Sequence, residues 1–409
     1  MTTPAPSVSR LCPRLPRVRV AMIASVVLCL LPLAAARADK AQIRAVLDEM
    51  EKATLAGDKA AYLKHVSAED AVFHKEQVNW AADFDHHKPV GFKLIIKNDQ
   101  GDFGDNEARF DLTTQWAMGE DVRGAPERTL TFAVVFRKHD DAWLYCGEDW
   151  QVLEAPGVDG AAGARVKFFP GSEAYAQTII DVLPEVRAHV DKGFEVHIDR
   201  VQEVKVYKSM RHLQHSIYLS YVDSLAGWNE PHESIKVLAG PSRNQHEAKI
   251  LLAHEYGHVC TFEYGDKATD MPWWVLEGVA ELATEEFDPA AADIADRMVR
   301  GWAKRDRLAP WPDMADFRKT DRKWMGNVYK QGQHMLGYIS EQFGRPQRIE
   351  WLRAMAAGKT IDQASRDVLK MSFDDLDRKW RESVTPPPPP PADQNGGPAK
   401  EPAVDPAKR

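Results

Sequence analysis

Two histidines four residues apart, with a glutamate beside the first, stand in the stretch Leu251–Cys260, LLAHEYGHVC. On a helix, His254 and His258 leave the same face about one turn apart, so both imidazoles can share one metal ion. Glu255 is badly placed to join that metal's ligands but well placed to hold and deprotonate a water there. A hydrolytic zinc site takes three protein ligands and keeps one position open, and this motif supplies two. Glu277 and Glu281 are the candidates for the third. They are again four apart, in a run with Trp273, Trp274, Val275, Leu276, Val279 and Leu282, where a carboxylate without a metal or a partner would be costly.

Eighteen residues separate His258 from Glu277, and the segment Trp274–Ala280, WVLEGVA, resembles the W-L-N-E-G-F-A box of the gluzincin metallopeptidases. That resemblance implies that His254, His258 and Glu277 bind one zinc ion per chain. It also implies that Glu281 hydrogen-bonds a liganding histidine, and that Glu255 is the general base toward a zinc-activated water. Leu276 stands where the box has its asparagine. Relatives stabilise the oxyanion with a tyrosine or histidine from downstream. Tyr329 is the match because it begins the helix where the family pattern has its tyrosine; His334 and Tyr338 share that helix. Over about Val166 to Val384 the chain also resembles the bacterial peptidase MA-like proteins, through "GWNEPHESIKVLAG" before the metal helix and "YKQGQHMLGYISEQFG" after it. The G-x-M-E-N box with which aminopeptidases capture a free amino terminus is absent from this region, which favours an endopeptidase.

The elements that must position these residues follow from hydrophobic spacing. The metal helix is expected from about residue 244 to 262, and one long helix over 324–343 carries Tyr329 and His334. Residues 234–239, SIKVLA, read as a short strand and the natural sheet edge for an extended peptide, with Val237 and Ala239 as substrate contacts. Upstream, Ile43, Val46, Leu47 and Met50 form a helical stripe, followed by strand-like runs at 92–96, 108–116, 129–137 and 143–153. Helices followed by an antiparallel meander, with "LAGDKAAYLKHV" and "AWLYCGEDWQVLE" at its ends, resemble the nuclear transport factor two-like, or SnoaL-like, cone. The fold class is therefore α+β: a cone-like helix-and-sheet domain over 39–155, a linker at 156–163, PGVDGAAG, and a mostly helical zincin-type metallopeptidase domain with a small sheet over 164–385. A Pro-rich tail over 386–409 is expected to be disordered.

Residues 1–38 resemble a secretory signal. Arg10, Arg14, Arg17 and Arg19 precede an apolar run broken by Pro32, and Ala36-Arg37-Ala38 supplies a cleavage site. The expectation is an exported protein, periplasmic or secreted, without stable membrane insertion after cleavage; an uncleaved anchor is the alternative. Removing those residues takes away five arginines and no acid, so the formal charge moves from -8 to -13. Such an acidic chain argues against nucleic acid as a partner and leaves peptide or protein as the substrate. The cone-like domain could support self-association. The rival reading is a non-catalytic zinc-containing binding or scaffolding protein of the cell envelope.

Overall fold

A computed structural model describes residues 31–385, except residues 121, 123–126, 158–161 and 241–243. The signal-like segment up to residue 30 and the tail from 386 lie outside the described residues. From Leu31 the chain is already helical and stays so through the expected cleavage site. Among the described residues no helix is long and apolar enough to cross a membrane.

The first unit comprises α1 (Leu31–Ala56), α2 (Lys59–Leu63) and α3 (Ala71–Ala82), then β1 (Pro89–Phe103), β2 (Glu107–Met118), β3 (Arg128–His139) and β4 (Ala142–Glu148). The strands form one antiparallel meander in the order β1-β2-β3-β4. Strand β2 shows why: Ala108, Phe110, Leu112, Thr114, Trp116 and Met118 alternate inward and are all buried. The predicted stripe on α1 is buried against them. Helix α3 escapes sequence reading because Glu76 interrupts its buried face between Phe73 and Trp80. It begins where Asp70 accepts from the backbone of Val72 and Phe73 at 3.0 and 3.1 Å.

The second unit runs β5 (Gln151–Ala155), β6 (Ala164–Phe168), α4 (Glu173–Phe194), β7 (Gln202–Tyr207), α5 (Met210–Ile217), β8 (Gly227–Trp228), β9 (Ile235–Leu238) and α6 (Gln245–Phe262). It continues with α7 (Trp273–Thr284), α8 (Ala291–Ala303), α9 (Met325–Phe343), α10 (Arg345–Ala356), α11 (Ile361–Ala364) and α12 (Phe373–Val384). Its sheet has the order β5-β6-β7-β9-β8, parallel in the middle and antiparallel at both edges.

Two sequence expectations change here. The run 143–153 is not one strand: it breaks at Asp149-Trp150, and β5 pairs with β6 from Gln151↔Phe168 to Ala155↔Ala164. Residues 156–163 therefore connect two strands of one hairpin and are not a linker between domains; small turn-forming residues suit either job. Nor is β9 an edge. It is flanked by β7 and β8, Val237 pairs with Gly227 and is fully buried, and Ala239 N donates to Tyr207 O at 2.8 Å. Neither Val237 nor Ala239 lies on an open edge; that place belongs to β8, too short to announce itself in the sequence.

Val166, Val204, Val206, Ile235 and Val237 face α4 and α6 across the core. The opposite face brings Lys167, Lys205 and Lys236 side by side on three adjacent strands. Three neighbouring buried ammonium groups would repel one another, and acids from both units resolve this. Lys167 meets Asp70 at 2.8 Å and Glu203 at 2.9 Å, Lys205 pairs with Glu76, and Lys236 meets Glu233 at 2.6 Å. Asp70 and Glu76 belong to α3 and its cap, so this charged layer joins the two units.

Candidate metal centre

Helix α6 starts on Asn244, whose side chain accepts from Glu247 N at 3.0 Å, and runs unbroken through the histidine motif. Small residues bring its neighbours close. A Cβ on Gly257 would lie 2.9 Å from Ala283 Cβ and 3.1 Å from Ala280 Cα, so α6 and α7 touch nearly backbone to backbone. A Cβ on Gly278 would lie 2.6 Å from the Gly332 carbonyl carbon, which gives α7 and α9 the same intimacy. Glu277 is thereby pressed toward the histidines, and the start of α9 is brought over both.

One ligand atom each from His254, His258 and Glu277 fall within 4.8 Å of one another. Glu277 Oε2 lies 3.2 Å from His254 Nε2 and 3.6 Å from His258 Nε2. Donors about 2.1 Å from a tetrahedral ion would stand about 3.4 Å apart, which these separations match. Glu277 Oε1 accepts from Trp273 Nε1 at 2.7 Å. Its Oε2 is buried with no well-angled hydrogen bond from any described residue. A buried carboxylate oxygen left over, aimed between two imidazoles, is what a nitrogen-and-oxygen metal site leaves when its remaining partner is a cation. These three residues fit zinc.

The electrostatics agree. Burial alone would lower the His254 pKa, but Glu277, Glu281 and Glu255 outweigh it and hold the imidazole well above its usual range. Burial alone would raise the Glu277 pKa, and the two histidines drive it below the usual carboxylate range instead. The cluster is organised around a positive charge.

Glu281 sits one turn beyond Glu277. Its Oε1 is 3.5 Å from His254 Nδ1, and its other oxygen pairs with Lys330 of α9. Lys330 also reaches Gln333 Oε1 at 3.2 Å. Glu281 is thus anchored on the far nitrogen of the His254 ring, which turns Nε2 toward Glu277.

Glu255 is buried beneath the edge strand: a Cβ on Gly227 would lie 2.4 Å from Glu255 Oε1. The Tyr329 ring centroid is 6.1 Å from that of His254, and burial, with Glu277 and Glu255 adding, raises its phenol pKa. Tyr221 answers it from the α5–β8 connection, raised by burial, then by Asp223, Glu277 and Glu255. Both hydroxyls stay protonated beside the carboxylates and can donate.

His334 does not take part. Its Nε2 is 3.2 Å from Asp296 Oδ1, and its Nδ1 accepts from Trp380 Nε1 at 3.0 Å, so it fastens α9 to α8 and α12. Five residues after Tyr329, it points to another side of the helix. Tyr338 also lies away, near Glu382 of α12. Lys330, Tyr221 and Gly227 belong to the site although sequence reading gave them no role. Lys330 and Gly227 stand inside the two flanking segments that carry the resemblance, Gly227 in the two-residue strand β8, whereas Tyr221 lies in irregular chain.

No protein-family model matches the chain, and no curated protein matches it. Among solved structures it is similar to a variant of an M1 zinc metallopeptidase from Deinococcus radiodurans, at 16% identity over 69% of this chain and 64% of that one, with a TM-score of 0.37. The M1 zinc metallopeptidase of the same organism gives 17% identity, 73% and 63% coverage, and a TM-score of 0.36. The chain thus spans less than two thirds of either. Likeness of this degree leaves the function to be argued from the side chains of the site.

Proposed function

We propose that the protein is a zinc-dependent peptidase that hydrolyses internal bonds of peptide or protein substrates, using His254, His258 and Glu277 as metal ligands and Glu255 as general base. The observation that carries this reading is the division of labour among three carboxylates and two imidazoles in one buried cluster. Three donors converge, Glu281 is held off by Lys330, and no fourth ligand joins that group among the described residues. Held by His254, His258 and Glu277, a zinc ion would supply Lewis acidity for a water nucleophile near neutral pH and for the scissile carbonyl. Glu255 takes the proton of the attacking water and delivers it to the leaving amine. Tyr329, with Tyr221 beside it, donates to the oxygen that becomes negative. Edge strand β8, lying against Glu255, offers its outer side to an extended substrate. A structural zinc clip would need a fourth protein ligand, and the Glu281–Lys330 pair supports the catalytic reading over it. Export is part of the proposal and rests on the sequence of residues 1–38.

The test is peptide-library hydrolysis and zinc content of the wild type beside Glu255→Gln. The expected result is equal zinc and at least about 10³-fold less cleavage in the variant. Full zinc with unchanged cleavage removes Glu255 as base, and full zinc with no cleavage by the wild type of any peptide supports the scaffold.

A further inference from the structure

The metal centre is largely closed off. The side chains of His254, His258 and Glu277 are 16%, 12% and 12% exposed, and Glu255 is buried. A peptide reaches them only if something moves aside. The segment standing in the way runs from residue 315 to 322, between α8 and α9. Its Phe317 ring bridges the edge strand and the ligand helix. The centroid lies 5.8 Å from that of Trp228 on β8, 5.0 Å from that of Trp273 on α7, and 6.2 Å from that of Tyr221, whose plane it follows to within 9°. All three walls adjoin the reacting position: Trp273 Nε1 donates to Glu277 Oε1 at 2.7 Å, Trp228 follows the Gly227 that abuts Glu255, and Tyr221 feels the charge of Glu277 and Glu255.

The segment is folded on itself and loosely fastened. Asp316 O accepts from Lys319 N and Thr320 N at 3.1 and 2.9 Å, and Asp316 Oδ1 accepts from Arg318 N at 2.9 Å. Its start is anchored where Ala315 O accepts from Trp273 N at 2.9 Å. Beyond that, Arg322 meets Asp223 at 2.7 Å, and Arg318 stands 3.6 Å from Asp83, just after α3, with its guanidinium over the Tyr218 ring. Both arginines are exposed, and ion pairs of that kind hold weakly and are screened by salt. The main hold is the Phe317 ring against three aromatic faces.

We propose that Phe317 is an internal occupant of the subsite for an aromatic side chain beside the scissile bond, and that residues 315–322 form a strap that releases to admit it. A displacing side chain must offer the slot what Phe317 offers, a flat apolar ring; a small side chain leaves the aromatic faces uncovered, and a charged one leaves its charge unpaired. Calling the slot a substrate subsite rests on the peptidase reading, whereas the strap and its slot do not.

The test compares the full zinc-loaded chain with Phe317→Ala and Arg322→Glu. N-acetyl-phenylalanine amide and N-acetyl-alanine amide are the binding probes, read by ligand-observed NMR. Zinc loss to dipicolinate is timed, cleavage of a peptide library is sequenced, and circular dichroism with starting zinc content reports folding. Phe317→Ala should bind the phenylalanine amide at least about tenfold more tightly than the wild type does, prefer it over the alanine amide, and lose zinc about tenfold faster. Its cleavage should rise most where Phe, Tyr or Trp flanks the cut. Arg322→Glu sets like charge against Asp223 without touching the slot, and should speed zinc loss by a smaller factor. A folded Phe317→Ala that binds neither amide and loses zinc at the wild-type rate overturns the proposal. If that variant does not fold, wild-type zinc loss in Arg322→Glu overturns the strap. Preferential binding of the phenylalanine amide with no cleavage by any of the proteins upholds the slot and refutes the peptidase reading instead.

Discussion

At the scale of single residues the site depends on what Gly227 lacks. A Cβ there would lie 2.4 Å from Glu255 Oε1 and 2.6 Å from its Cδ, and the far end of that side chain would shift before the backbone did. Gly227→Ala is therefore expected to leave folding and zinc content near wild type while misplacing the base, with about a 10²-fold loss in kcat. Zinc content, circular dichroism and peptide turnover measured on one preparation separate this from global damage. Glu281 makes the opposite prediction. Its Oε1 stands 3.5 Å from His254 Nδ1, so Glu281→Ala frees the ring and should weaken zinc binding about 10- to 100-fold, read by competition with a chromophoric chelator. The histidines, Glu255 and Glu277 were legible in sequence because helical spacing fixes where such side chains point. Tyr221 and Gly227 were not: Tyr221 lies in irregular chain and Gly227 in the two-residue strand β8, where spacing carries no direction.

Among elements, the crossings of α6, α7 and α9 are set by Gly257, Gly278 and Gly332, and the seat of the first unit is set by charge. Glu76 on α3 is buried with Lys205 and also accepts from Ser234. Removing one partner of such a pair leaves the other charge buried, so Glu76→Ala should cost about 3–5 kcal/mol in denaturant unfolding, and Glu76→Leu combined with Lys205→Met clearly less. The pair also predicts acid sensitivity. Burial alone would raise the Glu76 pKa, yet Lys205 and Lys236 bring it below the usual carboxylate value. A carboxyl depressed on folding contributes stability that is present above its unfolded pKa, near 4.3 as an approximate reference, and is lost as pH falls through the lower folded value. Unfolding curves from pH 7 down to 3 should therefore fall more steeply in the wild type than in Glu76→Gln. The helix that carries Glu76 was invisible in sequence because a carboxylate in mid-face breaks the apolar spacing. The lysine row was invisible because its register exists only after three distant strands align.

For the whole molecule the question is whether it comes apart where its sequence invites a cut. PGVDGAAG reads as a linker, and a protease acting within 156–163 would then release two independent domains. In the fold it joins β5 to β6, so the strand leaving the first unit is part of the second unit's sheet. The seam is reinforced on both sides of that hairpin. Trp80 Nε1 donates to His215 O at 2.9 Å, Trp116 Nε1 donates to Leu219 O at 3.1 Å, Asn79 reaches Glu233 at 2.6 Å, and Lys167 reaches Asp70 at 2.8 Å. Leu219, a residue of the second unit, is packed inside the first unit's core. A nick at 156–163 should accordingly yield two fragments that co-elute at the size of the intact chain, keep their zinc, and separate only in denaturant. Fragments that part under native conditions would mean that the hairpin and the charged layer do not hold the units together.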